Sequence, residues 1–185
     1  MTVVGPRLVL DAVYAFLATG SGNRYSLNTE IDLYRVQESL TNVQMPDVVA
    51  FQKYAYLGSE SPSATPIVGL EWDSSEGEAL NNDRELTHRL SMYLLLLDRD
   101  VAGDEVYLAA RVLDYVAVVQ AMFLRGTYAG ARGYTLNNGT GSSTARIMRA
   151  TVDDVQRGYD DELNAANVLI RFGLTVVSIE DYPGT

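Results

Sequence analysis

Hydrophobic positions recur at helical spacing near the start of the chain. Leu8, Val9, Ala12, Val13, Phe16 and Leu17 form one stripe between Pro6 and Gly20. Pro suits a first helical turn and Gly a stop, so the spacing predicts a helix over 6–19. Residues 20–30 read as loop. Leu33, Val36, Leu40 and Val43 then fall three and four apart, which predicts a short helix over 30–42, closed by Pro46. The pattern next turns β-like. Residues 47–57 look extended, "IVGLEW" (67–72) reads as a short strand, and 73–83 reads as an acidic turn.

Over 85–98 the residues alternate around Thr87–Tyr93, which favours a strand. Leu86, His88, Leu90, Met92, Leu94 and Leu96 share its apolar face. Residues 103–126 form the clearest helix, with Asp104 as N-cap and Gly126 as stop. Between Val106 and Leu124 only Arg111, Asp114 and Gln120 are clearly polar, so this helix needs cover on more than one side. A Gly-, Asn- and Ser-rich loop follows over 127–143. Two strands, 144–154 and about 166–180, close the chain through a connection at 155–164. The last strand is apolar on one face, through Val168, Ile170, Phe172, Leu174 and Val176. Its other face is mixed: Leu169, Arg171, Gly173, Thr175, Val177 and Ile179.

The order predicts one α+β domain over 1–185. It has a mostly antiparallel sheet, with the N-terminal helix and the long central helix packed on one face. Two elements then ask for a second cover. Neighbouring subunits supply it, or the segment 20–65 folds across the exposed face.

Composition narrows the function. The net charge is −10 and the sequence pI about 4.5. Such a field repels nucleic-acid backbones and anionic membranes, which argues against DNA wrapping. It suits a wall that DNA slides past. There is no cysteine, so thiolate metal sites and a Cys nucleophile are excluded. Lys53 is the single lysine among 14 basic residues, and tyrosine numbers 12. Arg and Tyr are both frequent at protein contacts. No apolar run reaches the length needed to cross a bilayer.

Catalytic chemistry finds little support. His88, the single histidine, sits among apolar neighbours as a core or edge residue. The stretch 139–144, GTGSST, fits neither a dinucleotide fingerprint nor a P-loop. Asp153, Asp154, Asp160, Asp161 and Glu162 read as a solvated acidic turn. Glu71 and Asp73 could be paired as acid and base on residue type alone. No cofactor, metal site or catalytic residue is expected.

One resemblance adds to this reading. The order runs from the N-terminal amphipathic helix through "PIVGLEWDSS" and "RLSMYLLLLD" to the central helix "DEVYLAARVLDYVAVVQAMFL". A Gly-rich loop then leads to "ARIMRATVDD" and "ANVLIRFGLTVVSIED". This layout resembles the tail terminator (tail completion) proteins of long-tailed bacteriophages over most of 6–180. The resemblance implies a non-enzymatic virion protein of the tail or neck, assembled in the host cytoplasm. Such proteins form a homo-hexameric ring, end tail-tube polymerisation and join the tail to the head connector. The implied partners are further copies of itself, the tail tube protein and the connector (adaptor) protein, with DNA passing through unbound. Candidate contact residues are Tyr107, Arg111 and Tyr115 on the central helix, and Tyr134, Asn137 and Asn138 in the loop. Arg157 and Tyr159 in the last connection and Arg171 on the mixed face complete the set. Another neck or head-completion adaptor, or a small ligand-binding or hydrolase domain, are the alternatives.

Overall fold

A computed structural model describes residues 6–20, 26–53, 65–80, 83–97, 105–128, 134–137, 144–159 and 167–181. The elements are α1 (Pro6–Thr19), α2 (Leu27–Glu38), β1 (Ala50–Lys53), β2 (Ile67–Leu80), β3 (Asp83–Leu97), α3 (Glu105–Tyr128), β4 (Tyr134–Asn137), β5 (Thr144–Tyr159) and β6 (Asn167–Asp181). The protein is α+β. Six strands form one mixed sheet in the order β1-β2-β3-β6-β5-β4. Among the described residues the β1–β2 pair is parallel and the other four pairs are antiparallel.

Each strand of the centre buries one alternating set of side chains. Leu90, Met92, Leu94 and Leu96 of β3 lie beside Val168, Ile170, Phe172, Leu174 and Val176 of β6, with Val68 and Leu70 of β2. The same core takes Val9, Leu10, Val13, Phe16 and Leu17 from α1, Leu27 and Ile31 from α2, and Val112, Tyr115, Val119 and Met122 from α3. Each such side chain contributes about 1.5–3 kcal/mol on full burial. Phe16 and Phe123 meet edge to face at 5.8 Å and tie α1 to α3.

α1 has the bounds the spacing predicts. Gly20 ends it at φ 72°, and its N–H donates to the Phe16 carbonyl at 3.1 Å. A seam then joins α1 to β1. Lys53 Nζ lies 2.6 Å from Asp11 and 4.5 Å from the centre of the Tyr14 ring, and Tyr14 meets Phe51 edge to face.

α2 departs from expectation in both bounds and face. Ser26 caps its start, with its Oγ accepting from the Thr29 N–H, so "SLNTE" is helix rather than loop. Ser39 ends it in the left-handed region, four residues early. The stripe Leu33, Val36, Val43 points outward, at 45%, 81% and 63% exposure. The buried side is instead Leu27, Glu30, Ile31 and Arg35. Arg35 explains the inversion. Burial disfavours its charge, yet Asp32 and Asp47 outweigh that and hold the guanidinium above its ordinary pKa. It also donates to the Met45 carbonyl at 2.8 Å. The segment after α2 is fastened again where Asn28 exchanges two hydrogen bonds with Val48.

The strands run longer than their hydrophobic alternation. β2 continues through the supposed acidic turn to Leu80, and β5 continues through Val155–Tyr159, which reads as connection in the sequence. Bulges hide this. The register skips Asp73 in β2, and Met148 and Asp153 in β5. An extra residue flips the inward parity, so no single alternation spans the strand. β4 lies inside the Gly-rich stretch, and α3 runs two residues past Gly126. The remainder of that stretch, with Asp104, Asp160, Asp161 and Glu162, lies outside the described residues.

Candidate interaction surfaces

Three places combine exposure with polar or apolar order. The first is the helix layer. On α3, Val112, Tyr115, Val118, Val119 and Met122 turn inward. Arg111 turns inward too and is 8% exposed. Its NH1 lies 2.7 Å from Asp114 Oδ2, an ion pair without hydrogen-bond alignment. Tyr34 of α2 donates to Asp114 Oδ1 at 2.8 Å. Burial, together with the Asp114 charge, pushes the Tyr34 phenol up to about 12. Tyr115 donates to the Pro46 carbonyl at 2.5 Å. Asp114 thus ties α3 to α2, and Tyr115 ties it to the segment behind α2. Ala110, Leu113, Ala117 and Gln120 are left outside, Leu113 at 69% exposure. The described outward side of this long helix carries no charged residue. Leu33 and Val36 of α2 are outward as well.

The second place is the sheet face opposite the core. Arg171 Nε donates to Ser91 Oγ at 3.0 Å, and Ser91 donates to Asp73 at 2.8 Å. Arg171 also lies 3.6 Å from Asp73 and 3.7 Å from Asp154. Asp153 accepts from Thr151 and Thr175, and Asp154 from Gln156. Both Asp73 and Asp153 are the extra residues of bulges, so the irregular backbone delivers these carboxylates. Gly173 leaves room for the neighbouring Asp154 carboxylate: a Cβ there would stand 1.8 Å from Asp154 Oδ1. The mixed face of the last strand is therefore partly answered within the chain, by polar groups.

The third place is the end of β2. The Asp73 bulge brings Trp72 and Ser75 to the same face, and Trp72 Nε1 donates to Ser75 Oγ at 2.9 Å. Ser75 Oγ meets His88 Nδ1 at 2.7 Å, and His88 Nε2 meets Ser178 Oγ at 3.1 Å. Either imidazole tautomer satisfies both ring nitrogens. His88 is fully buried, as its apolar neighbours imply. The position where a catalytic triad needs a carboxylate is held by Ser178.

Burial lowers the His88 pKa below its ordinary value. The unfolded chain, near 6.5, therefore takes up this proton first. Stability from the neutral imidazole is complete above about pH 6.5 and is lost as pH falls from there toward the folded pKa. Thermal unfolding followed from pH 7.5 to 5.5 is expected to show a falling midpoint. His88→Gln is expected to flatten that slope; an unchanged slope would assign it to other groups.

The residues singled out in the sequence divide between these places. Arg111 and Tyr115 are turned into the chain, Arg111 against Asp114 of the same helix and Tyr115 onto the Pro46 carbonyl. Arg171 sits on the open sheet face, and Arg157 is exposed on β5. Tyr107, Tyr134, Asn137 and Tyr159 lie on α3, β4 and β5, but their side chains are outside the described residues, as is Asn138 altogether. Sequence reasoning missed Leu113 and Trp72. The signal for Leu113 was the i, i+3, i+7 row of Ala110, Leu113 and Ala117. Among the described residues no group of acidic or histidine side chains could hold a metal ion, and no helix is long and apolar enough to cross a membrane. The chain matches no known protein-family profile, and no curated protein matches it in sequence.

Proposed function

We propose that this chain is a structural subunit of a ring at the head-proximal end of a long-tailed phage tail, where it terminates the tube and joins it to the head connector. The observation that carries the reading is the set of exposed apolar side chains on the helix layer. α2 and α3, linked by the Tyr34–Asp114 hydrogen bond, present Ala110, Leu113, Ala117, Leu33 and Val36 outward. Such a surface serves a protein neighbour better than water. The element order supports the same reading: helices first, three strands, the long helix, then the closing strands. In this reading α1 and α3 cover one sheet face, and copies of the chain with adjoining tail proteins cover the rest. Six copies would carry a formal charge of 6 × −10 = −60, which lets DNA pass without adhering.

The test is genetic and direct. Particles assembled without the protein are expected to carry tails of uncontrolled length when viewed by negative stain. Tailless or DNA-leaking heads would instead make it a head-completion adaptor. Light scattering on the purified chain, alone and with the tube protein, is expected to show a discrete oligomer. A monomer under both conditions would remove the ring.

A further inference from the structure

From the hydrogen bonds at the end of β2 we propose that Ser75 is a nucleophilic hydroxyl that takes an acyl group from an activated ester, with His88 as its base and Ser178 positioning the imidazole. The proposal concerns one chain by itself and does not depend on the ring. A serine nucleophile is marked by a base within hydrogen-bond reach and a third group that orients the base. Ser75 Oγ lies 2.7 Å from His88 Nδ1, and His88 Nε2 lies 3.1 Å from Ser178 Oγ. The register brings them together. Ser75 stands across from His88 in the β2–β3 pair, and Ser178 stands across from Leu86, two residues along β3 from His88. The bulge at Asp73 is essential here: the skipped residue puts Ser75, rather than Ser74, opposite His88.

Trp72 decides which way the protons run. An indole N–H only donates, so Ser75 Oγ is the acceptor in their 2.9 Å bond. The Ser75 hydrogen is left over, and among the described residues its acceptor is His88 Nδ1. The imidazole therefore keeps its own hydrogen on Nε2, gives it to Ser178, and turns a lone pair toward Ser75. Burial favours the neutral ring, so that lone pair is present at neutral pH. Exposure divides as the chemistry requires. His88 and Ser178 are fully buried, while Ser75 is exposed. Gly77, the next residue on the same side of β2, is exposed and has no side chain, which leaves that flank of Ser75 open. Trp72 walls the other flank.

The step balances as follows. Ser75 Oγ attacks the ester carbonyl carbon while its hydrogen passes to His88 Nδ1. The tetrahedral adduct then breaks the bond to the leaving oxygen, which takes the proton back from His88. The products are O-acyl-Ser75 and the free alcohol, with His88 neutral again. Trp72 Nε1, beside the attacking oxygen, can turn its N–H to the carbonyl oxygen as that oxygen gains charge. Ser178 orients the imidazole but lends the imidazolium no counter-charge. Acylation is therefore slower than in a triad that ends in a carboxylate, and the site suits a single modification better than rapid turnover.

The probe is p-nitrophenyl acetate, applied to the full-length chain, with adducts located by peptide mass mapping. Lys53 is the one side-chain amine that competes, and mapping reads it separately. Ser75 is expected to be acetylated at least about tenfold faster in the folded chain than in urea, as a positioned base provides. The other serines are expected to show no such advantage. His88→Gln is expected to abolish the advantage. Ser178→Ala, which keeps the Ser75–His88 contact, is expected to reduce it. Equal acetylation of Ser75 in the folded and unfolded chain would overturn the proposal without recourse to any variant. A folded His88→Gln chain that keeps the full rate would overturn it too, because Ser75 would then owe nothing to the imidazole. A full rate in Ser178→Ala would overturn the positioning role.

Discussion

Asp114→Ala is expected to destabilise the fold by about 3–5 kcal/mol, the cost of leaving a buried charge without its partner. Arg111 is the stranded group: its side chain is 10% exposed, and Asp114 is the carboxylate that faces it at 2.7 Å. Tyr34 loses its acceptor in the same variant. Two measurements check this. Urea unfolding reads the loss of stability. Absorbance titration of the tyrosines should show the phenol now near 12 moving part of the way down, because the Asp114 hydrogen bond and charge are gone while the larger effect of burial remains. Replacing both partners, as Arg111→Met with Asp114→Leu, is expected to recover most of the loss, since paired apolar groups need no ion pair. If the double variant is as unstable as the single one, the stranded Arg111 charge is not the source of the loss.

The second large effect concerns assembly and leaves the fold alone. Leu113 and Val36 are 69% and 81% exposed, so Leu113→Glu with Val36→Glu removes little buried area. Unfolding is expected to shift by no more than about 0.5 kcal/mol for each. Association with the adjoining tail component is expected to weaken by at least about tenfold, or about 1.4 kcal/mol. Pull-down against the purified tube and connector proteins measures it. Unaltered association with both would show that the outward helix faces are ordinary solvated surface.

The sequence revealed what periodicity encodes and hid what exceptions encode. α1, β3 and β6 were legible because apolar residues recur there without interruption and Gly20 marks a stop. The core face of β6 was readable residue by residue. α2 was legible as a helix and wrong in its orientation. Its inward side carries Glu30 and Arg35, whose burial depends on Asp32, Asp47 and the Met45 carbonyl. Hydropathy cannot register partners that arrive from other segments. The lengths of β2 and β5 were hidden by bulges at Asp73, Met148 and Asp153, each of which resets the two-residue period. The same bulges build the polar cluster around Arg171, so the best candidate for a neighbour-facing residue was found without its surroundings. Arg111 and Tyr115 looked like contact residues from their chemistry, but the intrachain acceptors Asp114 and Pro46 claim them.

The seam between α1 and β1 has a practical consequence. Lys53 carries the single side-chain amine of the chain, held by Asp11 and capped by the Tyr14 ring. Acylating reagents therefore have one internal target, and its reactivity reports on that seam alone. A fluorophore placed there would mark every subunit at an identical point, which makes counting copies in an intact particle a matter of stepwise photobleaching.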